Sequence, residues 1–188
     1  MIPLYEAALF LQRFCEERGW LHCFIGGLAL QRWSEPRYTQ DADLTLLTDF
    51  VHDEAYTDAL LTTFPTRRPD ARAFALRHRV LTVRHPNGVP LDIALGGLPF
   101  EAASIARSSL WHAAEGCELR TCCAEDLIVH KAFANRDQDW VDITRILQRQ
   151  GAKLDLPLIE RELIPLLMLK EQPENLDRLH QLIARHLR

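Results

Sequence analysis

The apolar run Cys23-Phe24-Ile25 stops at two adjacent glycines, Gly26 and Gly27. After a short helix-like segment the chain presents Asp41-Ala42-Asp43, which runs straight into Leu44-Thr45-Leu46-Leu47. Residues i and i+2 of a β-strand point to the same face. Asp41 and Asp43 are therefore expected to project together, close enough to share a divalent cation. The paired glycines would let a phosphate approach the backbone nearby.

The rest of the 188-residue chain can be arranged around that pair. Residues 3–18 place Leu4, Ala7, Ala8, Leu11 and Phe14 or Cys15 at helical spacing, and Gly19 supplies a stop. Leu21–Ile25 reads as a strand, Leu28–Trp33 as a short helix cut off by Pro36, and Asp43–Leu47 as the next strand. Residues 51–64 read as a helix ending before Pro65. Alternation over Phe74–Arg84, the turn Pro86-Asn87-Gly88 and the run Val89–Leu95 predict a β-hairpin across residues 74–95. Beyond Gly96-Gly97 the pattern is mostly helical: Glu101–Ser108, Ala124–Asn135, Gln138–Gln150, 157–169 and 173–187, with a short strand at 117–121. The expected fold class is α+β, with a strand-containing lobe over residues 1–98 and a helical lobe over residues 99–188.

Composition excludes some functions. A net charge of −4 argues against a general nucleic-acid coat, and 47% hydrophobic residues suit an ordinary soluble domain. The charge is nonetheless segregated. Residues 41–58 carry Asp41, Asp43, Asp49, Asp53, Glu54 and Asp58 with no Lys or Arg, whereas residues 66–85 carry Arg67, Arg68, Arg72, Arg77, Arg79 and Arg84 against Asp70. That contrast suits a site holding a metal beside a polyanion, or two ordinary solvated faces. Five cysteines without a C-x-x-C pair fit a reduced, cytoplasmic compartment. No leader and no apolar run of bilayer length stand out, so a soluble protein without a membrane partner is expected. The histidines show no zinc spacing.

A two-carboxylate metal site often needs a third acid, and Asp92 is the candidate. It stands alone in Pro90-Leu91-Asp92-Ile93-Ala94-Leu95. A charge in such a strand is costly unless paired or metal-bound; the alternatives are a solvated face or an arginine partner. Mg²⁺, with Mn²⁺ as an alternative, favours carboxylate oxygens together with substrate phosphates. Two such ions can activate an attacking oxygen and neutralise a leaving pyrophosphate. The natural reaction is transfer of a nucleotidyl group from an NTP, with Asp41 and Asp43 bridging metals and Asp92 polarising the acceptor hydroxyl.

Phe24-Ile25-Gly26-Gly27-Leu28-Ala29-Leu30 followed by Arg37-Tyr38-Thr39-Gln40-Asp41-Ala42-Asp43-Leu44 resembles the signature of the DNA polymerase β-like nucleotidyltransferase superfamily. The Gly-Gly turn with Arg-x-Thr-x-Asp-x-Asp is most similar to its AbiEii/AbiGii toxin-like branch. Glu125–Lys131 and Arg136–Ile143 are similar to that branch's helical segment. The resemblance implies a nucleotidyltransferase fold, a small mixed sheet flanked by helices and followed by a helical lobe, with the substrate in a cleft between lobes. It implies Lys131 facing the nucleotide phosphates, with Asp139 and Asp142 as base or orienting acids. It further implies an RNA acceptor, especially a tRNA end, and a toxin-like role opposed by a separately encoded protein antitoxin. Two departures stand out: Gly27 occupies the superfamily's usual serine position, and Gln138 occupies a position often basic.

Several residues keep two readings. Arg37 and Thr39 could bind phosphate, although Arg37 could equally pair with Glu35. Asp139 and Asp142 could instead have a purely structural or a surface role on a helix. Arg77, Arg79 and Arg84 could steer RNA or line a solvated strand. The four tryptophans, Trp20, Trp33, Trp111 and Trp140, fit packing between the lobes better than base stacking. Alternative functions are transfer to a small molecule of aminoglycoside type, and a non-catalytic nucleotide-binding module.

Overall fold

The computed structural model describes residues 2–187. They form two compact units: one takes the residues up to Leu28 together with Tyr38–Cys122, the other takes Ala29–Arg37 with the residues from Cys123 onward.

Period-two alternation builds the first unit. Strands β1 (His22–Phe24), β2 (Ala42–Leu47), β3 (Val80–Arg84), β4 (Pro90–Gly96), β5 (Ser109–Ala114) and β6 (Cys117–Thr121) form a mixed sheet in the order β3-β4-β2-β1-β6-β5. β2 runs parallel to β4 and β1 parallel to β6, and the other neighbours are antiparallel. Phe24, Leu44, Leu46, Leu81, Val83, Leu91, Ile93, Leu95 and Leu119 are all buried in one apolar cluster. Helix α1 (Pro3–Glu16) lays Leu4, Ala7, Ala8, Leu11 and Phe14 into that cluster. Because side chains alternate, the intervening residues Asp43, Thr45 and Leu47 on β2, and Asp92 and Ala94 on β4, must take the other face.

The expected hairpin forms with a shorter first arm. Residues 71–78 are helical, as α4 (Ala71–His78), and the strand starts only at Val80. The alternation of Phe74 and Leu76 is misleading: Ala71 and Ala75, four apart, are the buried positions, which is helical spacing. Arg79 ends α4 in the left-handed conformation, φ 57°, and donates from its guanidinium to Asp53 and to the Leu95 carbonyl. From there β3 pairs with β4 in register, Leu81 with Ile93 and Thr82 with Asp92. Before α4 lies α3 (Asp53–Leu61), shorter than the expected 51–64, and after β4 lies α5 (Pro99–Arg107).

Strand β5 was not expected. It joins β6 through a turn at Gly116, φ 69°. The sheet therefore continues past residue 98, and the uninterrupted helical stretch starts at Ala124.

The second unit is helical. Its elements are α6 (Ala124–Ala134), α7 (Asp137–Gln150), α8 (Leu156–Lys170) and α9 (Glu174–His186). Asn135, φ 61°, ends α6 in the left-handed region, and Asp155 caps α8 by accepting from the Leu158 amide at 3.0 Å. Trp140, Ile143, Ile146 and Leu147 form the buried stripe of α7. Helix α2 (Gly26–Trp33) opens in the first unit, and its residues from Ala29 on belong to the second. There Gln150 donates to the Trp33 carbonyl at 2.7 Å, and Arg149 donates to that of Ser34. No helix among the described residues is long and apolar enough to cross a membrane.

Ile93 lies fully buried in the strand that carries Asp92. Ile93→Ala is expected to lower the unfolding free energy by about 2–5 kcal/mol, measured by urea denaturation. A loss below about 1 kcal/mol would contradict the placement of β4 at the centre of this core.

Candidate active site

Parallel pairing of β2 with β4 sets Asp43 directly beside Asp92. Asp41 precedes β2 by one residue, and its carboxylate converges on the same place. Ligand oxygens from Asp41, Asp43 and Asp92 all lie within 4.8 Å of one another, on half-buried side chains. Three hard oxygen donors at that spacing fit a divalent cation of the Mg²⁺ or Mn²⁺ kind.

The row continues outward across the sheet. Thr82 pairs with Asp92, and residues 65–67 run alongside β3 through a Thr66–Val83 bridge and an Arg67 amide donating to the Thr82 carbonyl. That placement brings the Arg67 guanidinium to 2.6 Å from Asp92 Oδ1. Burial raises the Asp92 pKa above the ordinary carboxylate range; Arg67 opposes the rise and neighbouring Asp41 adds to it. Both readings of Asp92 thus hold at once: it has an arginine partner and it completes the carboxylate cluster. Arg67 is the residue that sequence reasoning missed, since it reads as loop and reaches Asp92 only through sheet pairing.

The two glycines play different parts. Gly26 sits at φ +57°, and a Cβ there would lie 1.9 Å from Asp43 Oδ2. It is a glycine for its backbone and for the room Asp43 needs. Gly27 has no such φ; a Cβ there would lie 2.5 Å from Thr39 Oγ1. The Thr39 hydroxyl in turn donates to Asp41 Oδ1 at 3.0 Å. Here, then, the Gly-Gly turn packs against the side chains that shape the carboxylate cluster.

The remaining expected site residues form a second cluster, within the helical unit. Lys131 Nζ lies 2.7 Å from Asp142 and 3.2 Å from Asp139, with its side chain 6% exposed. Arg37 forks onto Asp142, donating through Nε at 3.1 Å and through a terminal nitrogen at 3.0 Å. Asp142 is therefore a partner of Arg37. Arg136 bonds Asp139 through both its amide and its side chain. Gln138, noted as a departure from a position often basic, donates to Asp142 Oδ1 at 3.0 Å. Asp139 and Asp142 are buried, so the reading as surface acids fails. Burial pushes the Asp142 pKa up, but the donors Arg37, Lys131 and Gln138 outweigh it and hold the group below its usual range. Asp41, Asp43 and Asp92 thus gather with Gly26, Gly27 and Thr39, while Arg37, Lys131, Asp139 and Asp142 gather with one another.

Most of the basic segment is internally neutralised. Arg72 pairs with Glu54 and Asp58, Arg68 with Asp70, and Arg79 with Asp53. Arg77 falls on α4 and not on a strand. Arg84 stays exposed on β3, two residues from Thr82 and hence on the face that carries Asp92. Trp20 packs on Phe14 and Tyr56, Trp111 meets Tyr5 edge-on, and Trp140 donates to Asn135, all within their own units. Burial pushes the Cys15 thiol up to about 12, which removes it as a nucleophile.

The fold is that of a nucleotidyltransferase. It resembles the solved structure of an antigenic nucleotidyltransferase-like protein from Paracoccidioides brasiliensis, with a TM-score of 0.54 and 16% identity over 92% of this chain and 90% of that one. The antibiotic-resistance factor ANT(2'')-Ia has 17% identity over 91% of this chain and 93% of its own, with a TM-score of 0.49. No curated protein matches in sequence. Residues 11–185 match the family described as "Nucleotidyl transferase AbiEii toxin, Type IV TA system", and the chain belongs to that family of nucleotidyltransferases.

Two outcomes follow from the buried cluster. Lys131→Met leaves two buried carboxylates without their shared cation and should lower stability by about 3–5 kcal/mol at pH 7, read by chemical denaturation. A lowered folded-state pKa means that the native state binds fewer protons than the unfolded one as pH falls. The Asp142 contribution is therefore full above the ordinary carboxylate range and is lost progressively as pH falls from about 5 through the lowered folded-state value. Asp142→Asn should flatten the acid limb of the stability profile; an unchanged limb would contradict this account.

Proposed function

We propose that this chain is a metal-dependent enzyme that moves a nucleotidyl group from an NTP to a hydroxyl of RNA, a tRNA end in particular, in the cytoplasm. In this reading it is a toxin opposed by a separately encoded protein antitoxin. The observation that carries the reading is the convergence of Asp41, Asp43 and Asp92 oxygens within 4.8 Å on one sheet face.

Asp41, Asp43 and Asp92 would hold Mg²⁺ or Mn²⁺. Bound there, the cation supplies Lewis-acid polarisation of the α-phosphate and neutralises charge on the triphosphate. The acceptor hydroxyl oxygen forms a bond to the α-phosphorus, the bond to the bridging oxygen breaks, and pyrophosphate leaves. The hydroxyl proton passes to the Asp92 carboxylate, which polarises the acceptor hydroxyl. Arg67, on Asp92 Oδ1, fixes the orientation of that carboxylate. Gly26 and Gly27 allow close packing beside the acids. Asp139 and Asp142 would orient Lys131 and Arg37, the cations that this reading assigns to nucleotide binding.

An anionic acceptor is favoured over an aminoglycoside by Arg67 and Arg84, which flank Asp92 on the outer part of the same face. A polycationic small molecule would meet like charge there.

The test is transfer of label from α-labelled NTPs, with and without Mg²⁺, to total RNA and separately to aminoglycosides. RNA labelling that needs metal and falls on the order of 10²-fold or more in Asp41→Asn and Asp43→Asn is expected. Labelling of aminoglycosides alone would select the small-molecule reading. No label in either, with no metal-dependent thermal shift on NTP binding, would leave a nucleotide-binding module without activity.

A further inference from the structure

The three carboxylates are not held in the same way. Asp43 and Asp92 sit inside paired strands, and their backbones are fixed by the β2–β4 ladder. Asp41 lies outside it, at the end of an irregular stretch that begins after α2. Something other than sheet pairing must orient its carboxylate.

Thr39 is placed to do this. Its hydroxyl donates to Asp41 Oδ1 at 3.0 Å, with the Asp41 carbonyl at 3.5 Å. Threonine is β-branched and has few χ1 rotamers, so a hydroxyl fixed by packing is a rigid donor. The other side of that packing is Gly27. A Cβ at position 27 would lie 2.5 Å from Thr39 Oγ1 and 3.0 Å from Thr39 Cβ. Thr39 is too short and stiff to swing aside and still reach Asp41. Unlike Gly26, Gly27 has a backbone that any residue can adopt, so conformation alone does not explain a glycine here.

We infer that Thr39 is a positioning residue for Asp41, and that position 27 must lack a side chain because Thr39 occupies that space. The inference rests on the proposed carboxylate metal site and adds a residue that acts on it through Asp41. A carboxylate with one oxygen held by a hydroxyl keeps lone pairs for a cation. Groups that orient metal ligands typically account for about 10–100-fold in metal affinity.

The experiment measures Mn²⁺ binding to the full chain, without nucleotide, by the loss of the free-ion electron paramagnetic resonance signal. Thr39→Val keeps the shape and removes the hydroxyl; a dissociation constant about 10–100-fold weaker is expected. Thr39→Ser should restore binding to near the wild-type value. Gly27→Ala should weaken binding about as much as Thr39→Val, and should add nothing in a Thr39→Gly background, the signature of two residues acting through one contact. Thr39→Ala replaces Thr39→Val if the latter does not fold, and the thermal midpoint without metal monitors folding throughout.

Outcomes separate this inference from the site it rests on. If Asp41→Asn loses Mn²⁺ while Thr39→Val binds it like wild type, the positioning role is wrong and the metal site stands. If Gly27→Ala weakens binding equally in both backgrounds, the steric link is wrong. If Asp41→Asn itself binds Mn²⁺ normally, the carboxylate site is misassigned.

Discussion

The pairing of Asp43 with Asp92 across two parallel strands depends on the opposite face of the sheet. Leu44, Leu46, Leu91, Ile93 and Leu95 are all buried there, and alternation leaves the acids no other side. A slip of one residue in either strand would drive a carboxylate into that core and a leucine out of it. The penalty for an unpaired buried charge is several kcal/mol, so the register is strongly specified. The apolar core thus creates the charged site: packing on one side of the sheet decides the chemistry on the other.

Like charges so close repel, and the protein meets this with a cationic donor on one acid, a neutral donor on another and room around the third. Arg67 sits on Asp92 and Thr39 on Asp41, while Gly26 gives the Asp43 carboxylate its room. The helical unit solves a related problem differently. Its acids, Asp139 and Asp142, are buried around Lys131 and are satisfied by several donors each. One cluster keeps its carboxylates half-exposed and only partly neutralised; the other is closed and fully paired. Such a contrast distinguishes groups left able to take a cation from groups whose own cations are already in place.

Much of this was legible in the sequence because its signals are local. Two apolar runs each interrupted by isolated acids, a glycine pair and amphipathic helices in the second half gave the α+β class and the carboxylate trio. What was illegible depends on distance. Alternating Phe74 and Leu76 read as strand because only the fold shows that Ala71 and Ala75 are the buried pair. Strand β5 shows no clean alternation, with Ser109, Leu110 and His112 all exposed, so periodicity could not find it. Arg67 could not be linked to Asp92, twenty-five residues away, without knowing that residues 65–67 lie beside β3. Nor can a sequence show that Gly27 and Thr39 compete for one volume, since that competition exists only after folding.

The segment that carries Arg67 has another effect. β3 stands at one end of the sheet order, and an edge strand there would offer its backbone groups to any passing chain. Residues 65–67 take that position: the Arg84 amide donates to the Pro65 carbonyl and the Arg67 amide to that of Thr82. Pro65 has no amide proton to present in return. The same short stretch that brings a cation to Asp92 therefore also guards this border of the sheet against strand-by-strand pairing with another chain.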